Sequence, residues 1–309
     1  MLRLTSPMTL IISPSGSDTS GDGSAANPFR NPQAAIDYLV DGVDMCGHDV
    51  DIQLETAPGS ANFAVDPNTG VGNWTMAPGS EQYFYDGIRM TGKVRGQGSS
   101  MRRMLATPGR FFEFGRQGGR LRITSSNPSY PLGAFLSPSD KQGINIAEGA
   151  SLVADGFSLD TGVAGQDCIE IQSGSTFAFE NLALCMAGSP SGWTDCCHIC
   201  VGFGSRLFIT GGYYASGFAM YHINVGGCSQ VYFDTNGMVN IPVNFVGNPT
   251  YTLGYICCDG SWAFMPTVQF NGTFNGPAGL ICRRGVIDTN GAKNIPGSMQ
   301  YSNGGGTYY

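Results

Sequence analysis

The densest group of reactive side chains is the run WTDCCHIC, which places Asp195, Cys196, Cys197, His198 and Cys200 together. Cys197 and Cys200 have the spacing of half a zinc site, but a structural zinc takes two such pairs and no second pair is evident. No metal and no cofactor is therefore expected. Glycoside hydrolysis would need a proton donor and a second carboxylate. Asp167, Glu170 and Asp195, then Asp234 and Asp259, follow one another without sharing a position in the repeat described below. Glu170, flanked by Ile169 and Ile171, is the one carboxylate set squarely on an outward strand position, and Asn145, Cys200, Asn224 and Ile256 are its equivalents. Such a column is not a catalytic pair. No catalytic residue is assigned, and Glu170 and Asp195 are the candidates that remain. Ring stacking is a third possibility: Trp74, Tyr83, Tyr85, Tyr213, Tyr214 and Trp262 are glycan-binding candidates, because an aromatic face suits the apolar side of a pyranose. The same rings would equally serve to anchor loops or subunit contacts.

These side chains need a scaffold, and between Gly143 and Gly291 the chain repeats itself. The pattern is apolar, any, apolar, two spacers, Gly, then an apolar pair three and five residues later. Its copies are Ile144, Ile146, Gly149, Leu152, Ala154, then Ile169, Ile171, Gly174, Phe177, Phe179, and then Ile199, Val201, Gly204, Leu207, Ile209. A fourth runs Ile223, Val225, Val231, Phe233 with Cys228 in the glycine's place, and a fifth runs Tyr255, Cys257, Gly260, Ala263, Met265. Leu280, Cys282 and Gly285 begin a sixth. Alternating apolar residues mark strands with one buried face, and the small residue between two strands marks a tight corner. A strand, corner, strand unit near 25 residues fits one turn of a parallel β-helix, whereas a propeller blade needs roughly 40 residues. Stacked turns should put Ile144, Ile169, Ile199, Ile223 and Tyr255 in one interior column and Ile146, Ile171, Val201, Val225 and Cys257 in the next. His198 and Cys200 should then point outward.

Composition narrows the function classes. Glycine is abundant at 46 of 309 residues and charged residues are only 13 %, which suits many corners and few solvated helices. Lysine occurs only at Lys93, Lys141 and Lys293, and the net charge of −7 argues against binding a phosphate backbone, so no nucleic-acid partner is expected. The arginines between Arg89 and Arg122 form a local basic run whose readings are a solvated or interface face, or docking onto an acidic partner. No segment reaches about 18 apolar residues and MLRLTSPMTLIISPSG has no signal-peptide h-region, so neither membrane insertion nor signal-peptide secretion is expected. The ten cysteines, Cys46, Cys168, Cys185, Cys228 and Cys282 among them, are scattered and are expected to be mostly reduced, packing as small hydrophobes.

At the N-terminus, Thr9 to Ile12 reads as a strand and a polar loop leads to a short helix with Asn31 as cap, Pro32 in the first turn and Ala34, Ala35, Ile36, Leu39 and Val40 at helical spacing. An open coil end exposes interior and unpaired edges, so this helix is placed to be a lid. The order strand, SPxGSD, G, PF, QxAID, here Ser13, Pro14, Gly16, Ser17, Asp18, Gly23, Pro28, Phe29, Gln33, Ala35, Ile36 and Asp37, resembles the opening module of right-handed parallel β-helix proteins of the pectate-lyase-like superfamily. The form is the one common in bacteriophage tail spikes and phage-like particles. VDIQLETAPGS supplies the alternating strand expected next, and IDTNG, IPGS and QY look like the closing segment of such proteins.

The resemblance implies an all-β, right-handed, single-stranded parallel β-helix with a short capping helix at the N-terminus. Residues 1–49 would form the first strand and cap, 50–291 the coil with flank loops at 63–85 and 125–140, and 292–309 a tail without a further turn. It also implies a virion-associated spike or fibre, assembled in the host cytoplasm as a homotrimer, contacting other virion proteins and host cell-surface polysaccharide. The alternative it leaves open is a polysaccharide depolymerase, either lyase or hydrolase. Family lyases use clustered Asp for calcium and an Arg base, and the hydrolases use Asp residues on neighbouring turns. The polygalacturonase marks NTD, DD and GHG with a later RIK are missing from this sequence.

Overall fold

The structure, a computed structural model, describes residues 1–56, 61–65, 72–76, 83–98, 119–126, 134–136, 142–160, 167–186, 196–233, 241–265, 268–277, 279–289, 300–303 and 307–308. It is built almost wholly of short strands in parallel ladders, with one helix. From Tyr83 to Asn271 each circuit of the chain lays a strand on three ladders in turn. The first ladder holds Ile88–Thr91, Ile144–Ala147, Ile169–Ile171, Cys197–Val201, the second half of Tyr213–Gly226, Thr250–Asp259, Leu280–Arg283 and Gln300–Asn303. The second runs from Met8–Ile12 through Val50–Leu54, Leu121–Ser125, Ser151–Asp155, Thr176–Glu180, Arg206–Ile209, Gln230–Phe233, Trp262–Phe264 and Val286–Asp288 to Thr307–Tyr308. The third comprises Tyr83–Tyr85, Ala134–Leu136, Ser158–Asp160, Ala183–Met186, the first half of Tyr213–Gly226, Ile241–Phe245 and Val268–Asn271.

Alternation explains the burial. In Val50–Leu54 every second residue is inside, and Ile144, Ile169, Ile199 and Ile223 are successive register partners, all fully buried. Ile146, Ile171, Val201 and Val225 form the adjoining column, as the repeat predicts. The fifth copy is displaced by one residue: Ile223 pairs with Ile256 and Val225 with Cys258, so Tyr255 and Cys257 leave the two columns. The register shifts between Ala219 and Tyr221, just before this pairing.

The corner from the first to the second ladder is left-handed backbone at two successive residues, Glu148 and Gly149, Ser173 and Gly174, Phe203 and Gly204, Gly227 and Cys228. Cys228, where the repeat lacks its glycine, holds φ at +63°. Ala150 follows the first of these corners, but from the second onward a buried serine sits immediately after the corner, and these serines stack. Ser175 N–H donates to Ser205 Oγ, Ser205 N–H to Ser229 Oγ and Ser229 N–H to Ser261 Oγ, each at 3.2 Å.

The helix Pro32–Gly42 buries Pro32, Ala35, Ile36 and Leu39 against Met8–Ile12, Val50–Leu54 and Ile88–Thr91. Asn31 stands at the cap position without a capping bond; its amide reaches Asp18 Oδ2 at 2.9 Å instead. Gln33 closes the edge of the first ladder, since Arg89 N–H donates to its Oε1 at 2.7 Å and its Nε2 donates to Arg89 C=O at 3.0 Å.

Around the flank segment 63–85, Ala61–Val65 and Gly72–Met76 form an antiparallel hairpin and Tyr83–Tyr85 opens the third ladder. The tail adds a circuit: Leu280–Arg283 pairs with Gln300–Asn303, and Val286–Ile287 with Thr307–Tyr308.

Candidate functional site

The outer side of the first ladder carries a column of register partners, Arg89, Asn145, Glu170, Cys200, Asn224, Cys257 and Ile281. Glu170 is its chemical centre. Its Oε2 accepts from Gln142 Nε2 at 2.8 Å and Asn145 Nδ2 at 2.6 Å, and Gln172 Nε2 donates to Oε1. Half-burial raises the Glu170 pKa, while the Arg89 charge and the amides of Asn145 and Gln172 oppose that shift by favouring the ionised form.

Asp167 shares this face. Between the two carboxylates, Cys168 and Ile169 are both fully buried, so the chain presents Asp167 and Glu170 on the same side despite their odd spacing. Asp167 Oδ1 accepts the Cys197 N–H at 2.5 Å. Burial pushes its pKa up to about 7; that hydrogen bond lowers it and the charge of Glu170 raises it further. One carboxyl is thus poised to hold a proton at neutral pH beside another stabilised by amides and an arginine. Burial raises both carboxyls, and only Glu170 has an arginine and side-chain amides opposing the shift, an asymmetry of the kind that divides acid and base roles.

The thiols nearby do not fit nucleophilic chemistry. Burial, with Asp167 and Glu170 adding, takes the Cys200 thiol up to about 12, and burial takes Cys197 well above the ordinary thiol range. Cys197, Tyr221, Cys257 and Ile281 pack as an outer apolar cluster with Cys200 and Met220 against it.

His198 corrects the expectation that it points outward. It is fully buried, because His198 and Ile199 both turn inward where the chain rounds from the third ladder to the first. His222 next to Ile223, and Tyr255 next to Ile256, repeat the arrangement. His198 therefore does not join Cys197 and Cys200 on the outer face.

The aromatic candidates disperse. Tyr85 and Tyr213 are core residues and cannot offer a face to a sugar: Tyr85 OH donates to Glu55 C=O at 2.7 Å, and Tyr213 OH bonds His222 Nε2 at 2.7 Å. Their strands alternate inward at those positions, which aromatic character alone does not reveal. Tyr83 is half-buried against the core, Tyr214 is half-buried on the third ladder, and Trp262 lies on the outer face of the second, edge-on to Tyr232 at 5.5 Å. The Trp74 side chain and Asp195 lie outside the described residues. The sequence points to Glu170, Asp167 and, as an outward equivalent, Asn145, but not to the amides of Gln142 and Gln172 that complete the group; the recurrence of amides beside the strand was the available signal.

No protein-family model, curated protein or solved structure matches the chain.

Proposed function

We propose that this chain is a right-handed parallel β-helix of the spike or fibre type carried by phages and phage-like particles, and that it binds host cell-surface polysaccharide along the outer face of the first ladder. Handedness rests on the near-universal right-handed sense of crossovers between parallel strands of one sheet. The observation that carries the binding reading is the polar row Arg89, Asn145 and Glu170, flanked by Gln142 and Gln172. Donors and acceptors on neighbouring rungs, ~4.8 Å apart, suit an extended chain of hydroxyl and carboxyl groups. Assembly in the host cytoplasm as a homotrimer, docked to other virion proteins, belongs to the same reading. Binding of purified protein to host capsule or exopolysaccharide, measured by calorimetry, tests it: wild type binds and Glu170→Ala with Asn145→Ala does not. Equal binding by both would refute the assignment of the face.

A second reading, polysaccharide cleavage, is favoured by the Asp167 and Glu170 pair. Asp167 would protonate the leaving glycosidic oxygen while Glu170 serves the opposite role. Release of reducing ends from capsule supports hydrolysis and release of unsaturated uronates supports a lyase; neither product in prolonged incubation removes the enzymatic reading.

A further inference from the structure

The interior of the middle circuits holds a polar group that the outer face does not use. His198 Nδ1 and His222 Nδ1 lie 2.7 Å apart, with the rings edge to face at 4.9 Å. His222 Nε2 bonds Tyr213 OH at 2.7 Å, and Tyr213 OH in turn meets Tyr255 OH at 3.0 Å. Tyr251 closes on both rings, with its OH 3.4 Å from His222 Nδ1 and its ring edge-on to His198 at 5.5 Å. Both histidines are fully buried, and His198 Nε2 has no hydrogen-bond partner.

Two ring nitrogens at 2.7 Å admit one proton between them, so the pair has no room for two imidazolium ions, and complete burial with no counter-charge keeps both rings neutral. The titratable groups facing the pair are the phenols of Tyr213, Tyr251 and Tyr255 and, toward Tyr251, the thiol of Cys168. Among the described residues no carboxylate faces it. Burial takes His198 down to about 3 and, with His198 beside it, takes His222 well below the ordinary range, the Ser216 backbone opposing for His198.

We propose that the His198–His222 pair is an acid-sensitive latch: as pH falls below ~6.5, the circuits carrying Cys197–Val201, Tyr213–Gly226 and Thr250–Asp259 part locally while those carrying Ile144–Ala147 and Ile169–Ile171 stay paired. The sign follows from the histidines being neutral when folded. Above ~6.5 open and closed forms bind the same protons; below it only the open form takes them up, so opening is favoured as pH falls. Circuits of a solenoid contact only their neighbours, which lets one region open alone. Each proton taken up only by the open form is worth tenfold per pH unit in the opening equilibrium. Two histidines give a hundredfold. The Asp167 carboxyl, protonated when buried and released if Cys197 leaves it, offsets one proton and sets tenfold as the lower figure.

Hydrogen exchange on the intact chain at pH 7.5, 6.0 and 5.0, corrected for intrinsic rates, tests the latch. Amides of 197–201, 213–226 and 250–259 should lose protection by tenfold to a hundredfold per pH unit between 6.0 and 5.0, and those of 144–147, whose partners lie on circuits that stay closed, should not. Protection that is independent of pH, or that falls equally in all circuits, overturns the proposal. Proton NMR of the chain's three histidines gives a check without mutation: the His198 and His222 rings should remain neutral in every folded molecule at pH 5, and a midpoint near 6.5 for either with its amides still protected refutes the latch. His198→Leu with His222→Phe should abolish the loss of protection on acidification, leaving only the opposite dependence that Asp167 supplies; if that variant folds and still loses protection as pH falls, another group is responsible.

Discussion

Asn145 Nδ2 lies 2.6 Å from Glu170 Oε2, one rung away on the same outer column, so a side chain of one circuit fixes the carboxylate of the next. Asp167, three residues before Glu170, is left as the carboxyl that titrates near neutrality. Carbon-detected NMR should show Asp167 deprotonating with a midpoint close to pH 7, and Glu170→Gln should lower that midpoint by removing the adjacent negative charge. A midpoint near 3.8 in wild type would contradict the buried placement. If the protein cleaves polysaccharide with Asp167 as acid, activity falls as pH rises through about 7, and Asp167→Asn lowers kcat by about a hundredfold or more.

Because its folded-state pKa is raised, Asp167 also contributes stability that is fully present below ~3.8 and lost as pH rises through about 7. Asp167→Asn should remove this opposing effect, making the acid destabilisation of the whole chain between pH 6.5 and 4 steeper than in wild type. A denaturant series across that range measures it.

Ile171 sits between Ile146 and Val201 in an interior column with no polar group of its own. Ile171→Asp should cost about 3–5 kcal/mol, the usual consequence of an unpaired buried charge. Wild-type-like melting of that variant would mean the column is wrong.

Cys228 holds a left-handed backbone conformation where the neighbouring corners end on glycine. Cys228→Gly should therefore stabilise the chain by up to about 1 kcal/mol, less the entropy that glycine adds to the unfolded state. A lower melting temperature for the variant would show that the exposed thiol contributes something the corner geometry does not.

Light scattering on the isolated chain at micromolar concentration should give the mass of a trimer. A mass near 32.6 kDa would rule the trimer out. Tyr213 and Tyr221 would contribute nothing to such an interface, since the chain buries both for itself.

Much of this architecture is readable from spacing. Four copies of the repeat, from Ile144 to Val225, fall in register without adjustment, because single alternation decides which face each residue takes. The fifth was misplaced by one residue since Tyr255 belongs with His198 and His222, a third inward position before each strand that strict alternation assigns to the outside. Polar residues inside a core give no apolar signal, so the serine stack and the histidine pair were both invisible. Glu170 was legible from its flanking isoleucines. Its relation to Asp167 needed the two consecutive inward residues between them, which only the fold reveals.

The serine stack makes the coil countable. Every circuit from Ser175 to Ser261 joins the next through the same corner bond, so its length along the axis is an integer number of steps of ~4.8 Å, whatever loops it carries. Excising one whole circuit would shorten the rod by one step and let the serine and isoleucine columns close over the gap, whereas removing half a circuit would leave both without partners. Reach is set in whole units, and the loops are free to vary without changing it.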